Sequence, residues 1–181
     1  MNGYLKVLVV SYGLYISNAW AEDAPSFKNN ILKIPRVDTS EQVGKYQNSE
    51  FKLAPDGRWD LLHANEAQRA IIDAIEIKIL ESFPMQVHVL VSGFLPTPCY
   101  HLGPINKRYA DNQFEIAVNM TPPPPDTGCI TVLEPFAITI PLDVYGLPKG
   151  CYQIYVNDKS GSFELSTDNQ VEMQLLMESE D

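Results

Sequence analysis

The feature that most restricts this chain is a two-residue period of apolar side chains, repeated in short runs that Pro and Gly break up. Val87, Val89 and Val91 fall on one face of such a run, with Gln86, His88 and Leu90 on the other. Phe114, Ile116, Val118 and Met120 repeat the device, as do Ile138, Ile140 and Leu142 around an interrupting Pro141. Tyr152, Ile154 and Val156 follow, then Phe163 and Leu165. Successive side chains of a strand point to opposite faces, so each run has one face to bury. Strands at this frequency, with no long helical pattern between them, predict an all-β antiparallel sandwich spanning about residues 65–168.

The segment ahead of it, residues 22–64, reads as a small β module. Strand signals cover Ile31 to Ile34, Lys45 to Leu53 and Trp59 to His63, and Asp56-Gly57 marks a hairpin between the last two, because glycine tolerates positive φ. Residues 22–30 are polar and read as loose. Residues 64–81 carry two patterns. Asn65 with Gln68 forms a capping box, and Ala67, Ala70, Ile71, Ala74 and Ile75 fall at helical spacing. Ile75, Ile77 and Ile79 then alternate with Glu76 and Lys78. The expectation is a short helical turn near 65–71 followed by a strand.

At the N-terminus, Lys6, the apolar run Val7 to Ile16 and Ala19-Trp20-Ala21 read as a signal peptide over residues 1–21. That reading makes the mature protein periplasmic or secreted, with no membrane anchor after cleavage. At the other end, residues 169–181 form an acidic tail in which Val171, Met173, Leu175 and Leu176 suit an edge strand or a short amphipathic segment. The formal charge of the whole chain is −10, and no basic cluster interrupts it. Nucleic acid and anionic membrane surfaces are therefore disfavoured partners, since both are bound by Lys and Arg displacing counterions.

Three stretches carry a resemblance: "IEIKILESFPMQVHVLVSGFLPTPC", "CITVLEPFAITIPLDVYGLPKGCYQIYVND" and "GSFEL". Together they resemble bacterial exported proteins with an immunoglobulin-like domain and no assigned function. The shared pattern is E-S-F-P-x-Q-V, G-x-L-P-x-x-C, P-F-x-x-x-I-P-L and G-L-P-x-G-x-Y, across about residues 73–166. "LKIPRV", "YQNSEFKL" and "GRWDLL" are similar to a short β module that recurs in bacterial exported proteins. The resemblance implies an immunoglobulin-like fold and an exported location, and it supplies no catalytic residues. Two positions depart from the pattern: "MTPPPPDTGC" lacks an Arg-Pro before the second cysteine, and Cys151 stands where Thr is usual. "GLPKGCY" also resembles the corner that enters a late strand of such sandwiches. There Tyr152 is expected to bond back to upstream backbone.

Cys99, Cys129 and Cys151 are an odd number of thiols for an exported chain, so one is free or pairs outside it. Cys99 and Cys129 each follow a turn residue, Pro98 and Gly128, and are the preferred pair; Cys129 with Cys151 is the competitor. Alternation puts Cys151 on the face opposite Tyr152, as a half-buried spare thiol or as the point where two chains join in a dimer. His63, His88 and His101 fall in no catalytic signature. No Cys, His or Met pair has a recognised metal spacing, and neither a G-x-S-x-G elbow nor a phosphate loop exists. His88 reads as solvent-facing or edge-bonded, Gly57, Gly93 and Gly103 as turn residues, and Asn119-Met120-Thr121 as a chance glycosylation sequon.

These readings leave nucleic acid and membrane out as expected partners and supply no reaction machinery: no catalytic residue, no cofactor and no metal. The expected function is non-enzymatic recognition or structure, with an unidentified protein or cell-envelope component as partner. The candidate surface is 93–105 with 121–129, carrying Phe94, Tyr100, His101 and the stiff run Pro122, Pro123, Pro124 and Pro125. One alternative is an inhibitor or accessory subunit of an exported enzyme. Another is a thiol-dependent enzyme using Cys151.

Overall fold

The computed structural model describes residues 24–170, and among them there is no helix. Residues 1–21, expected to be a signal peptide, and the expected tail beyond Gln170 lie outside the described residues. Four strands, β1 (Ser26–Lys28), β2 (Ile31–Val37), β3 (Tyr46–Leu53) and β4 (Trp59–Glu66), form one antiparallel sheet in sequence order. The described residues after β4 build a sandwich. One layer is β10 (Glu134–Leu142), β7 (Gln86–Leu95) and β6 (Ile71–Leu80), in that order. The other is β12 (Lys159–Leu165), β11 (Gly150–Val156) and β9 (Gln113–Thr121), with β5 (Gln68–Arg69) and β8 (His101–Ala110) also paired to β9. All pairs are antiparallel except β9 with β11, which is parallel.

The core is the set of alternating residues read from the sequence. Val87, Val89, Ile154 and Val156 are among its fully buried members, with Phe114, Ile116, Val118, Ile140, Leu142 and Leu165 around them. Tyr152 stacks on Phe163 at 5.2 Å, and its hydroxyl donates to the Pro148 carbonyl at 2.6 Å, which is the corner expected of an immunoglobulin-like sandwich. Burial raises the Tyr152 phenol above its ordinary pKa. Pro141 is tolerated because β10 is an edge strand, where a missing N–H costs no ladder bond.

Strand β9 is buried on both faces. Phe114, Ile116 and Val118 face the core, while Ala117 and Asn119 are buried on the outer side. The β1–β4 module lies over that outer side and is held by polar contacts. Arg36 donates to the Lys107 carbonyl (2.9 Å), Arg108 to the Thr39 carbonyl (2.6 Å) and Arg69 to the Val43 carbonyl (2.9 Å). Gln47 donates to the Asn106 side chain at 2.9 Å. Gly44 has φ 59°, and a Cβ there would run into Asn106, so both the turn and the close approach demand glycine.

Along its inner-module edge, β9 pairs first with β11 and then with β5, and Asn157 fills the step between them. Its amide donates to the Ala70 and Val118 carbonyls (2.8 and 3.0 Å) and accepts from the Val118 N–H (3.0 Å). One side chain thus replaces a missing stretch of strand backbone.

Several expectations are corrected. The helical turn near 65–71 is absent: Asn65 pairs with Gln47, Gln68 with Met120 and Arg69 with Asn119, all as strand. Its apparent helical spacing has two sources. The chain passes from one sheet to the other at Ala70–Ile71, and a register shift falls between Ile72 and Ala74, so the alternation slips. Residues 22–30 are not loose throughout, because β1 pairs with β2 across Asn29-Asn30, both at positive φ, which asparagine tolerates. Gly93 and Gly103 lie inside β7 and β8 rather than in turns. At Gly93 a Cβ would strike the Ile71 carbonyl and the Phe136 ring. His88 is half-buried on the central strand β7, flanked by Lys78 and Pro141, and so is not at an edge. Asn119 is 1% exposed and bonded to Pro104 and Asn106, so its sequon is inaccessible in the folded chain. Asn169, at the head of the expected tail, is fully buried and bonds Met85 and Val144.

Two outcomes follow from these contacts. Asn157→Ala leaves the Ala70 carbonyl and the Val118 N–H without partners and should lower stability by about 3 kcal/mol in urea unfolding. The second concerns Asp38, whose carboxyl is held below its ordinary pKa first by the Arg36 hydrogen bond, then by the Gly44 N–H and nearby Arg charge, against a burial effect. A folded pKa below the unfolded one gives stability that is complete above the unfolded value and lost as pH falls through the folded one. Unfolding midpoints should therefore drop below the ordinary aspartate range, with a flatter acid dependence in Asp38→Asn.

Candidate functional site

The connections β7–β8 (residues 96–100) and β9–β10 (residues 122–133) both cross between the two layers at one end of the sandwich. Cys99 and Cys129 join them in a disulfide, with Cα atoms 6.2 Å apart and a sequence separation of 30. The Cys129–Cys151 alternative is therefore excluded. Tyr100 packs against the core, its N–H donating to the Thr97 carbonyl at 3.1 Å, and Thr97 Oγ1 accepts from the Cys99 N–H at 3.3 Å. His101 is exposed at the start of β8. In the proline run, Pro122, Pro124 and Pro125 are exposed and Pro123 is half-buried. The run ends in a turn where Asp126 has φ 64° and the Thr127 hydroxyl donates to the Pro124 carbonyl at 2.7 Å.

Phe94 lies half-buried on the outward side of β7, in register with Ile71 on β6 and Pro135 on β10. These three apolar residues make one cross-strand row beside the stapled loops. Sequence reading missed the strongest surface feature of this end. Ile130, Val132 and Leu133, just past Cys129, are 68%, 56% and 56% exposed in a stretch without strand pairing. The sequence "ITVL" carries a strand-like signal, and only the fold shows that nothing covers it.

A second concavity, also missed, is a groove of about 740 Å³ at the step between the module and the sandwich. Glu41 and Gln42 form one wall, and Gln113, Glu115, Tyr155 and Asp158 line the β9–β11 side. Its one arginine, Arg69, is committed to Val43 and Asn157, and burial lowers its pKa against the opposing pull of Glu115. The groove is assembled from four distant segments, residues 41–43, 69–70, 113–116 and 155–158, which is why no local pattern announces it.

Cys151 is free and exposed, not half-buried as expected, because its strand β11 presents it to solvent with Glu164 as cross-strand neighbour. The three histidines sit on β4, β7 and β8, none on β11 or its partner β12. Among the described residues no three His, Cys, Asp or Glu side chains are grouped to hold a metal ion.

With this geometry in view, comparison with known families gives one result. Residues 89–165 match the family model described as the ORF11 beta-sandwich domain. The ORF11 beta-sandwich match includes all three cysteines, the proline run and every strand from β8 to β12, and it stops short of the β1–β4 module. No curated protein and no solved structure matches the chain.

Closing a loop of this separation stabilises a domain by about 3 to 4 kcal/mol in the chain-entropy account. Cys99→Ser/Cys129→Ser should lose that amount in urea unfolding. Thiol titration of the unreduced wild type should find one reactive group per chain, and three would disprove the staple.

Proposed function

We propose that this is an exported, non-enzymatic recognition or structural protein that engages a protein or cell-envelope component through its stapled end. The observation that carries the reading is the exposure of Ile130, Val132 and Leu133 on a loop the disulfide holds in place. Apolar side chains gathered on a surface mark interaction sites, and a loop tied at both ends loses little freedom on binding. The Phe94–Ile71–Pro135 row supplies a further apolar contact on the adjoining strands, and His101 with the exposed prolines forms the rim. A disulfide is compatible with an oxidising compartment, which supports export alongside the signal-like residues 1–21. The match to a beta-sandwich family fits a binding or structural role.

Catalysis by Cys151 has less behind it, since its strand neighbours supply no histidine. An inhibitor or accessory role would use the same stapled loop and shares the test below.

Export predicts that the periplasmic or secreted form starts at Glu22, which intact-mass analysis reads directly. For recognition, the variant Ile130→Ser/Val132→Ser/Leu133→Ser should keep its circular dichroism and its disulfide. It should also lose whatever the wild type captures from envelope extract. Capture unchanged by these substitutions would remove the stapled end as the binding surface.

A further inference from the structure

The sheet edges of the described chain are protected, with one exception. β10 carries Pro135 and Pro141, and β8 carries Pro104, Lys107 and Arg108. β6 carries Lys78, β12 carries Lys159, and β1 is 3 residues long and ends in Lys28. Proline removes a donor and lysine resists an incoming strand, and short strands offer little to pair with. β4, with the sequence WDLLHANE, carries no proline, lysine or arginine, and its only irregularity is the two register shifts in its pairing with β3. Yet it is the outer strand of its sheet, and all 8 of its residues are exposed.

Its apolar side chains are uncovered as well. Trp59, Leu61 and Leu62 are 46%, 58% and 51% exposed. The register places Leu61 beside Phe51, Phe51 beside Leu32, and Leu32 beside Phe27, so an apolar row runs across the module to its unprotected edge. Phe27 and Trp59 meet edge-on at 5.7 Å over this surface.

We propose that β4 pairs antiparallel with β4 of a second copy of this chain, joining two modules into one continuous sheet. Two observations select a second copy as the occupant. The first is self-complementarity. Laid antiparallel on itself in full overlap, β4 sets Trp59 against Glu66, Asp60 against Asn65, Leu61 against Ala64 and Leu62 against His63. No two like charges face each other, and the contact is isologous, as a two-fold dimer requires. The second is charge. Residues 26–66 hold six Lys or Arg and six Asp or Glu, whereas residues 67–170 hold six and eleven, so the module is neutral and the sandwich carries −5. Copies meeting through the sandwich would bring that negative charge together, whereas copies meeting through the neutral module keep it apart.

The test is sedimentation velocity on the full chain from micromolar to millimolar concentration, in a Cys151→Ser background that removes disulfide-linked dimers. A concentration-dependent dimer is expected, with amide exchange over residues 59–66 slowing as the dimer forms. Leu61→Lys/Leu62→Lys places two cations at the edge. Both positions are exposed, so circular dichroism should hold while the dimer is lost. A chain that stays monomeric at millimolar concentration overturns the proposal. So does a dimer that survives the lysine substitutions, or one whose newly protected amides lie outside 59–66.

Discussion

The double burial of β9 is the constraint on which the rest of this molecule depends. A strand with a core on one face and a packed module on the other cannot leave a backbone group unpaired on either side. β8 satisfies one side along its length. The other side is shared by β11 and β5, and the Asn157 amide completes the ladder where neither reaches. That seam also couples the two parts of the chain. Arg69 of β5 donates to Asn157 on the sandwich side and to the Val43 carbonyl on the module side, so the ladder and the docking share one guanidinium.

The two ends of the sandwich are closed differently. At the lower end a buried asparagine, Asn169, bonds Met85 and Val144 and so closes the loops by hydrogen bonding. At the upper end a disulfide ties the two crossing connections. A covalent tie restrains the backbone without calling for apolar burial around it. That leaves Ile130, Val132 and Leu133 outside the core, available to something else. The module shows a parallel economy: its polar contacts secure it to β8 and β5, while its apolar row runs out to an open edge.

Much of the sandwich was legible in the sequence because its core strands are half-buried, and half-burial writes a two-residue period. Val87–Val91 and Tyr152–Val156 show it plainly, and the Tyr152 corner was readable from its G-L-P-x-G lead-in. Where burial departs from that pattern, reading failed. β8 was missed because Pro104, a register shift between Leu102 and Ile105, and a buried Asn106 break its alternation. The segment around Ala70 looked helical because crossing between sheets and a bulge slip the period by single residues. Of the candidate surface, the cysteine pair was found from flanking turn residues, and the exposed apolar stretch beside it was not.

The amino-acid sequence by itself determined the class of fold, since alternation, turn residues and the absence of long helical patterns depend only on neighbours along the chain. It also determined which faces of the central strands are apolar. Only the tertiary structure decided which strands share a sheet, that β9 and β11 run parallel, that the module covers β9, and which apolar residues remain uncovered. The reason is physical: a side chain's hydrophobicity is a property of the residue, but whether water still reaches it depends on segments far away in the chain.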